Sequence, residues 1–269
     1  MERPETTSPG TATGSPAVAE THAEKFIPDM TEKGAPRAGV PQSIDTRLYC
    51  QFLAFTECLD TKPIVEAVRS AGLESVVYAN LNDPRGVGVL VMSEEPDTFA
   101  RDSRALFSRP PFAALAPLSE FTMIGRTYAI GRERDLKDWL LYHVRRTALN
   151  GENVWAIWYP LRRTGAFNRV PKPEQAKMMA EHGMIGRAYG EAGHAHDIRL
   201  ECHGLDRDDN EFVLGIVGPR LHPLSKLIKD MRMTRQTSEF MQKMGPFFIG
   251  RVIWQAPLKP EAAAAPESY

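Results

Sequence analysis

One order of elements occurs twice in this chain, and it restricts the fold more than any other feature. The run RLYCQFLAFT from Arg47 reads as a strand, after which Asp60 or Thr61 caps a short helix. Pro63 falls in the first turn of that helix, where a missing N–H costs little, and Gly72 ends it. ESVVYAN and GVGVLVMS form a hairpin across the turn formers of LNDPRG. Ser93 and Pro96 open a second helix through about Ser108, and LSEFTMIGRTYAIG returns as a long strand. The order is βαββαβ. From Val154 it recurs as strand VWAIWYP, helix EQAKMMAEHGMIGRAYG, strand HDIRLECHG, loop LDRDDN, strand EFVLGIVG, a helix from Pro223 to about Arg232, and strand FFIGRVIW.

Two ferredoxin-like units in tandem, 46–150 and 151–255, are the simplest account, and the fold class is α+β. Each sheet has one face covered by its own helices and one apolar face still to bury. Pressing those faces together closes a dimeric α+β barrel within one chain. The space between the sheets is then the expected ligand pocket. The second copy is the longer, with its excess at 161–173 and 190–194, so function is expected there.

The ends differ from this body. Residues 1–45 carry six prolines and one aromatic, Phe26, too little apolar surface to offset the entropy of ordering them. They read as a disordered arm, and the Ala/Pro-rich 256–269 as a flexible tail. No secretory signal and no membrane span stand out, and the expected setting is cytoplasmic. Net charge −1 lacks the cationic excess that a nucleic acid or an anionic membrane requires, so any anion must meet a local patch. Cys50, Cys58 and Cys202 are odd in number and lie in apolar runs, as buried thiols do.

His182 has Met178, Met179, Ile185, Gly186 and Tyr189 as helical neighbours and so lies on an apolar face. It is either a core histidine or a ligand to a flat, haem-like macrocycle, for which Gly183 and Gly186 would leave room beside the imidazole. Alternation puts Trp155, Ile157 and Tyr159 on one strand face and Ala156, Trp158 and Pro160 on the other. Arg145, Arg146, Arg162, Arg163, Arg169 and Lys172 form a cationic run suited either to solvent or to several carboxylates. His194 and His196 share a strand face but lack a third ligand of fixed spacing, which favours an exposed loop over a metal site.

YPLRR, KMMAEHGMIGRAYG, GLDRDDNEF, IKDMR and GPFFIGRV together resemble the chlorite dismutase family, more closely its haem-biosynthetic branch, the coproheme decarboxylases. The resemblance is strong across the second unit and weak in the first. It implies a homopentamer with the porphyrin in the second unit, and His182 as the iron ligand. It implies that Tyr159 is the redox-active tyrosine, that Arg145 and Tyr128 contact propionates, and that Arg163 stands beside the reactive one. Trp155 and Leu161 become porphyrin contacts. The distal position falls on Arg199, or on His196 given the extra residues near 190–194; the branch often has glutamine there.

The implied activity is peroxide-dependent decarboxylation of two propionates of iron coproporphyrin III (coproheme), giving haem b. Hydrogen peroxide is the co-substrate, and a ferrochelatase is the implied supplier of coproheme. Two alternatives stay open: chlorite conversion to chloride and O2 at Arg199, and a non-catalytic haem carrier or sensor.

Overall fold

In the computed structural model of the protein, residues 26–264 are described. The chain divides into two compact units, 1–30 and 31–269. Of the first, residues 26–30 are described and have no regular secondary structure. The ends expected to lack order lie outside the described residues at 1–25 and 265–269.

The second unit opens with a two-stranded hairpin, β1 (Glu32–Arg37) and β2 (Val40–Ile44). The first repeat follows as β3 (Tyr49–Thr56), α1 (Thr61–Ala71), β4 (Ser75–Asn80), β5 (Val87–Ser93), a π-helical turn at Phe99–Ser103 running into α2 (Arg104–Phe107), the short β6 (Ala116–Pro117) and β7 (Met123–Arg126). A second π-helical turn, Asp138–His143, runs into α3 (Val144–Ala148). Then come β8 (Trp155–Arg163), α4 (Ala166–Arg169), α5 (Lys172–Glu191), β9 (His196–Glu201), β10 (Phe212–Gly218), α6 (Leu221–Arg232), α7 (Arg235–Phe240), β11 (Met241–Met244), β12 (Phe248–Gln255) and α8 (Pro260–Ala263).

The strand order is β7-β3-β5-β4 in the first half and β12-β8-β10-β9 in the second, the same antiparallel arrangement twice. β4 pairs with β12 and β7 with β9, so the eight strands close on themselves. The two joints are unequal. β4 and β12 share five registered pairs, whereas β7 and β9 share one, Arg126 with Glu201.

The barrel interior draws buried side chains from all eight strands, among them Phe52, Tyr78, Leu90, Met123, Trp158, Leu200, Val213 and Phe248. Phe52 stacks on Trp158 at 5.8 Å and meets Phe248 edge-on at 4.8 Å. These rings correct the expectation of a pocket between the sheets: that space is filled core. Tyr159 and its face partners point the other way, toward α5 and α6. The corresponding face of the first half is an apolar core under α1 and α2. Cys50, Cys58 and Cys202 are buried free thiols.

The helical stretch at 138–148 was not expected, and three further segments depart from the sequence reading. Residues 32–44, expected within the disordered arm, are ordered because Glu32 accepts from Arg47, Arg126 and the Ala129 N–H. The tail at 256–264 is also tied down: Ala256 N–H donates to Ser75 and Ala262 is fully buried. The long strand expected at 118–131 is limited to Met123–Arg126, since beyond it the chain leaves the sheet.

Candidate functional site

β10 organises the site. Leu214 faces outward, with Tyr159 opposite it on β8 and Arg199 opposite it on β9. Partners directly across an antiparallel pair share a face, so Tyr159, Leu161 and Arg163 lie beside Asp197, Arg199 and Glu201 under the helices. His196 instead pairs with Val217, which faces the barrel interior, and its Nδ1 lies against Gly190 near the end of α5. Of the two distal candidates, only Arg199 shares the face of Tyr159.

Tyr159 is 4% exposed and stacks on Phe247 with ring centres 4.4 Å apart. Its hydroxyl has no hydrogen-bond partner among the described residues. Burial raises its pKa above the usual phenol range, Asp197 adds to this, and Arg232 opposes it. The group is therefore a neutral phenol at physiological pH.

His182 projects from α5, which packs on β9 and α6. Its Nδ1 lies 3.2 Å from Thr234 Oγ1. The Thr234 hydroxyl donates to the Met231 carbonyl at 2.8 Å, so its oxygen is left to accept from Nδ1–H. That assigns the tautomer in which Nε2 carries a lone pair. Burial lowers the imidazole pKa, Asp197 working against it and Arg199 with it, so the neutral form is favoured.

Asp197 is the electrostatic centre. It accepts from Arg199 Nε at 2.9 Å, and its charge also acts on His143, His182, Tyr128 and Tyr159. Tyr128 lies beyond the end of β7, its ring 5.8 Å from Phe212 and its carbonyl accepting from Trp139 Nε1 at 2.8 Å. Trp139 stacks on His143 and lies under the Arg199 guanidinium. A cleft of about 360 Å³ opens here, lined by Tyr128, Trp139, Arg132, Arg134, Arg187 and Arg199, with Ile130 and Glu133 completing it. It takes in Tyr128 and Arg199 but excludes Tyr159 and His182.

Two expected contacts lie elsewhere. Arg145 is 6% exposed and engages Glu74 at 2.8 Å, Glu94 at 3.0 Å and the Leu141 carbonyl, which makes it a structural cation of α3. Trp155 starts β8 about 13 Å along the strand from Tyr159 at the usual rise per residue, with Arg251 over its ring. The cationic run is also dispersed. Arg146 chelates Asp138, Arg162 bonds the carbonyls of Asp208 and Asp209, and Arg163 donates to Glu211 through both its backbone N–H and Nε. Arg163 nonetheless stays on the site face, its guanidinium 4.3 Å from the Phe167 ring and 4.9 Å from the Phe212 ring.

The sequence reading assigned no role to Arg132, Arg134, Arg187, Trp139, His143 or Asp197. The guanidiniums of Arg132, Arg134 and Arg187 have no carboxylate partner among the described residues. No group of three His, Cys, Asp or Glu side chains suited to a metal occurs among those residues either. A metal held by His182 would therefore have to bring its own chelate, and the unpaired cations suit one that carries acids. A Cβ added at Gly183 would meet nothing within 4 Å, which leaves open space next to His182 in the chain.

The fold and this arrangement define a closed α+β barrel of two ferredoxin-like halves, with the site on the helix-covered face of the second. The chain belongs to the chlorite dismutase family, whose sequence model matches residues 114–253. It is 30% identical over 145 residues to the coproheme decarboxylase of Mycolicibacterium smegmatis, covering 49% of this chain and 59% of that protein. It is 30% identical over 129 residues to the enzyme of that name from Oceanobacillus iheyensis, covering 46% and 48%. The chain thus matches about half of each curated relative. Among solved structures, a haem-binding protein of Thermus thermophilus superposes with TM-score 0.62 at 17% identity, over 85% of this chain and 95% of that one. Chlorite dismutase of Candidatus Nitrospira defluvii in complex with imidazole gives 0.59 at 15%, over 80% and 93%. At these identities the two structures speak for the fold. No helix among the described residues is long and apolar enough to cross a membrane.

Proposed function

We propose that this chain binds iron coproporphyrin III and, with hydrogen peroxide, converts two of its propionates to vinyl groups, yielding haem b. The observation that carries this reading is the placement of Tyr159, a buried side chain whose hydroxyl has no hydrogen-bond partner among the described residues, on one sheet face with Arg163 and Arg199. The two curated relatives support the choice of reaction. When bound, the iron porphyrin supplies the peroxide chemistry; each propionate loses two electrons and CO2 while one H2O2 becomes two waters.

His182 holds the iron through Nε2, and Thr234 keeps its ring oriented by accepting from Nδ1–H. Tyr159 retains its proton at neutral pH, so a hydrogen is present to lose before the phenoxyl takes one from the propionate β-carbon. Glu211 holds Nε of Arg163 and Asp197 holds Nε of Arg199, and among the described residues the terminal nitrogens of both have no acid partner, so they can meet carboxylate or peroxide oxygens. Their role is positioning and charge compensation. A homopentamer, a cytoplasmic setting and supply of coproheme by a ferrochelatase belong to the same proposal.

The test is mass spectrometry of the porphyrin after addition of stoichiometric peroxide to the complex with iron coproporphyrin III. Stepwise loss of two carboxyl groups through a three-propionate species is expected, and Tyr159→Phe should bind but not convert. Unchanged porphyrin in a complex shown to bind would overturn the reading. Arg199 on the site face favours a second one, chlorite conversion, which O2 release from chlorite would establish.

A further inference from the structure

The β1–β2 hairpin grips one particular loop. Ala35 N–H donates to the Glu133 carbonyl at 3.0 Å, and Gln42 Nε2 donates to the carbonyls of Glu133 and Arg134 at 3.1 and 3.0 Å. Leu136 N–H returns a bond to Gln42 Oε1 at 3.0 Å, while Arg37 pairs with Asp135 at 2.7 Å. Gly34 lets the strand come this close, because a Cβ there would lie 2.9 Å from the Glu133 oxygen. At the start of the loop, Glu32 accepts from Ala129 N–H. One small hairpin thus fixes 129–136 from both ends.

This loop carries Arg132 and Arg134 into the cleft beside Arg199. The one acid in the cleft lining, Glu133, is turned back onto its own loop, where it accepts from the N–H groups of Ile130 and Arg132 at 2.8 and 2.9 Å. Asp135 is taken by Arg37. Neither guanidinium is ion-paired with an acid among the described residues, and with Glu133 held on backbone N–H groups this is an arrangement that suits an anionic ligand group.

We propose that Arg132 and Arg134 form a carboxylate-binding subsite at the cleft, set in place by the β1–β2 hairpin, and that this subsite selects a porphyrin with more carboxylates over one with fewer. The inference rests on the porphyrin reading above. It gives the hairpin, which the barrel does not need for closure, a positioning role in ligand recognition. Gln42 acts through the loop it holds.

The experiment compares the affinities of the full chain for iron coproporphyrin III, with four carboxylates, and haem b, with two. Arg132→Gln/Arg134→Gln should weaken coproporphyrin binding by about tenfold at low ionic strength, leave haem b within about twofold, and flatten the salt dependence of the former. Gln42→Ala should reproduce the selective loss with both arginines present. Equal weakening for both porphyrins, or none, in a double variant that melts like the wild type would overturn the subsite. Should the wild type bind neither iron porphyrin, the underlying reading falls and the subsite with it. Wild-type binding lost selectively in the double variant but untouched by Gln42→Ala would overturn the role of the hairpin.

Discussion

The Nδ1 of His182 and the Oγ1 of Thr234 lie 3.2 Å apart although 52 residues separate them, and this contact decides which imidazole nitrogen is available. Thr234 stands between α6 and α7 with its hydroxyl hydrogen already given to Met231. Thr234→Val keeps the shape and removes the acceptor. Iron-porphyrin affinity is expected to fall by about tenfold, with a change in folding stability near 1 kcal/mol or less. Titration followed in the Soret band, beside urea denaturation, measures the two separately.

His182 and His143 both have pKa values lowered mainly by burial, against the opposing charge of Asp197. A depressed folded-state pKa means that the unfolded chain binds protons first. The contribution of each histidine to stability is therefore complete above the unfolded value near 6.5 and is lost as pH falls through the lower folded value. Melting temperature should fall with acidification in this window, and His182→Gln should reduce the slope. A slope unchanged in that variant would contradict the burial of the imidazole as the cause.

Arg145 binds two carboxylates, and the Glu74 side chain is only 5% exposed. Arg145→Met is expected to destabilise the protein by about 3 kcal/mol, since it leaves the buried Glu74 carboxylate with only the more distant Lys259, 3.4 Å away. Porphyrin affinity of the folded variant should stay at the wild-type level. Denaturation midpoints and a binding titration on the same sample check both halves of this expectation.

Tyr159→Phe removes a hydroxyl that has no hydrogen-bond partner among the described residues and preserves the stack on Phe247. Its unfolding free energy should lie within about 1 kcal/mol of wild type, so any loss of turnover in the variant belongs to chemistry. Chemical denaturation monitored by tryptophan fluorescence provides the comparison.

Gly88 has no room for a side chain: a Cβ there would lie 2.6 Å from the rings of both Phe52 and Phe248. Gly88→Ala should cost about 1–3 kcal/mol through overpacking of the barrel centre. Thermal unfolding measured by circular dichroism reads this directly.

The barrel was legible in the sequence because alternation in β8 and the repeated element order are backbone-level signals. That Trp158 and Tyr159 take opposite faces follows from spacing alone; that Trp158 is the inward one comes from the closed barrel. The early end of β7 was not legible, since what draws the chain away, Glu32 on the Ala129 N–H, comes from a distant segment. The helical stretch at 138–148 could have been found: Leu136, Leu140, Val144 and Ala148 are buried at four-residue spacing. The cation cluster misled because neighbours in sequence are not neighbours on a helix or strand. Arg145 and Arg146 leave α3 toward different acids, while the cleft takes its arginines from a loop, from α5 and from β9. Such convergence is a property of the closed barrel and has no local signature.

The unequal joints of the barrel have a mechanical consequence. A ring fastened by five pairs on one side and by a single pair on the other yields first at the single one. That seam is Arg126 against Glu201, reinforced by an ion pair of 3.0 Å, and it lies two residues from Tyr128 on one strand and two from Arg199 on the other. The thinner of the two joints between the halves thus lies beside the cleft that Tyr128 and Arg199 line. Backbone pairing in this molecule is therefore sparsest beside the candidate site, while the filled interior joins all eight strands.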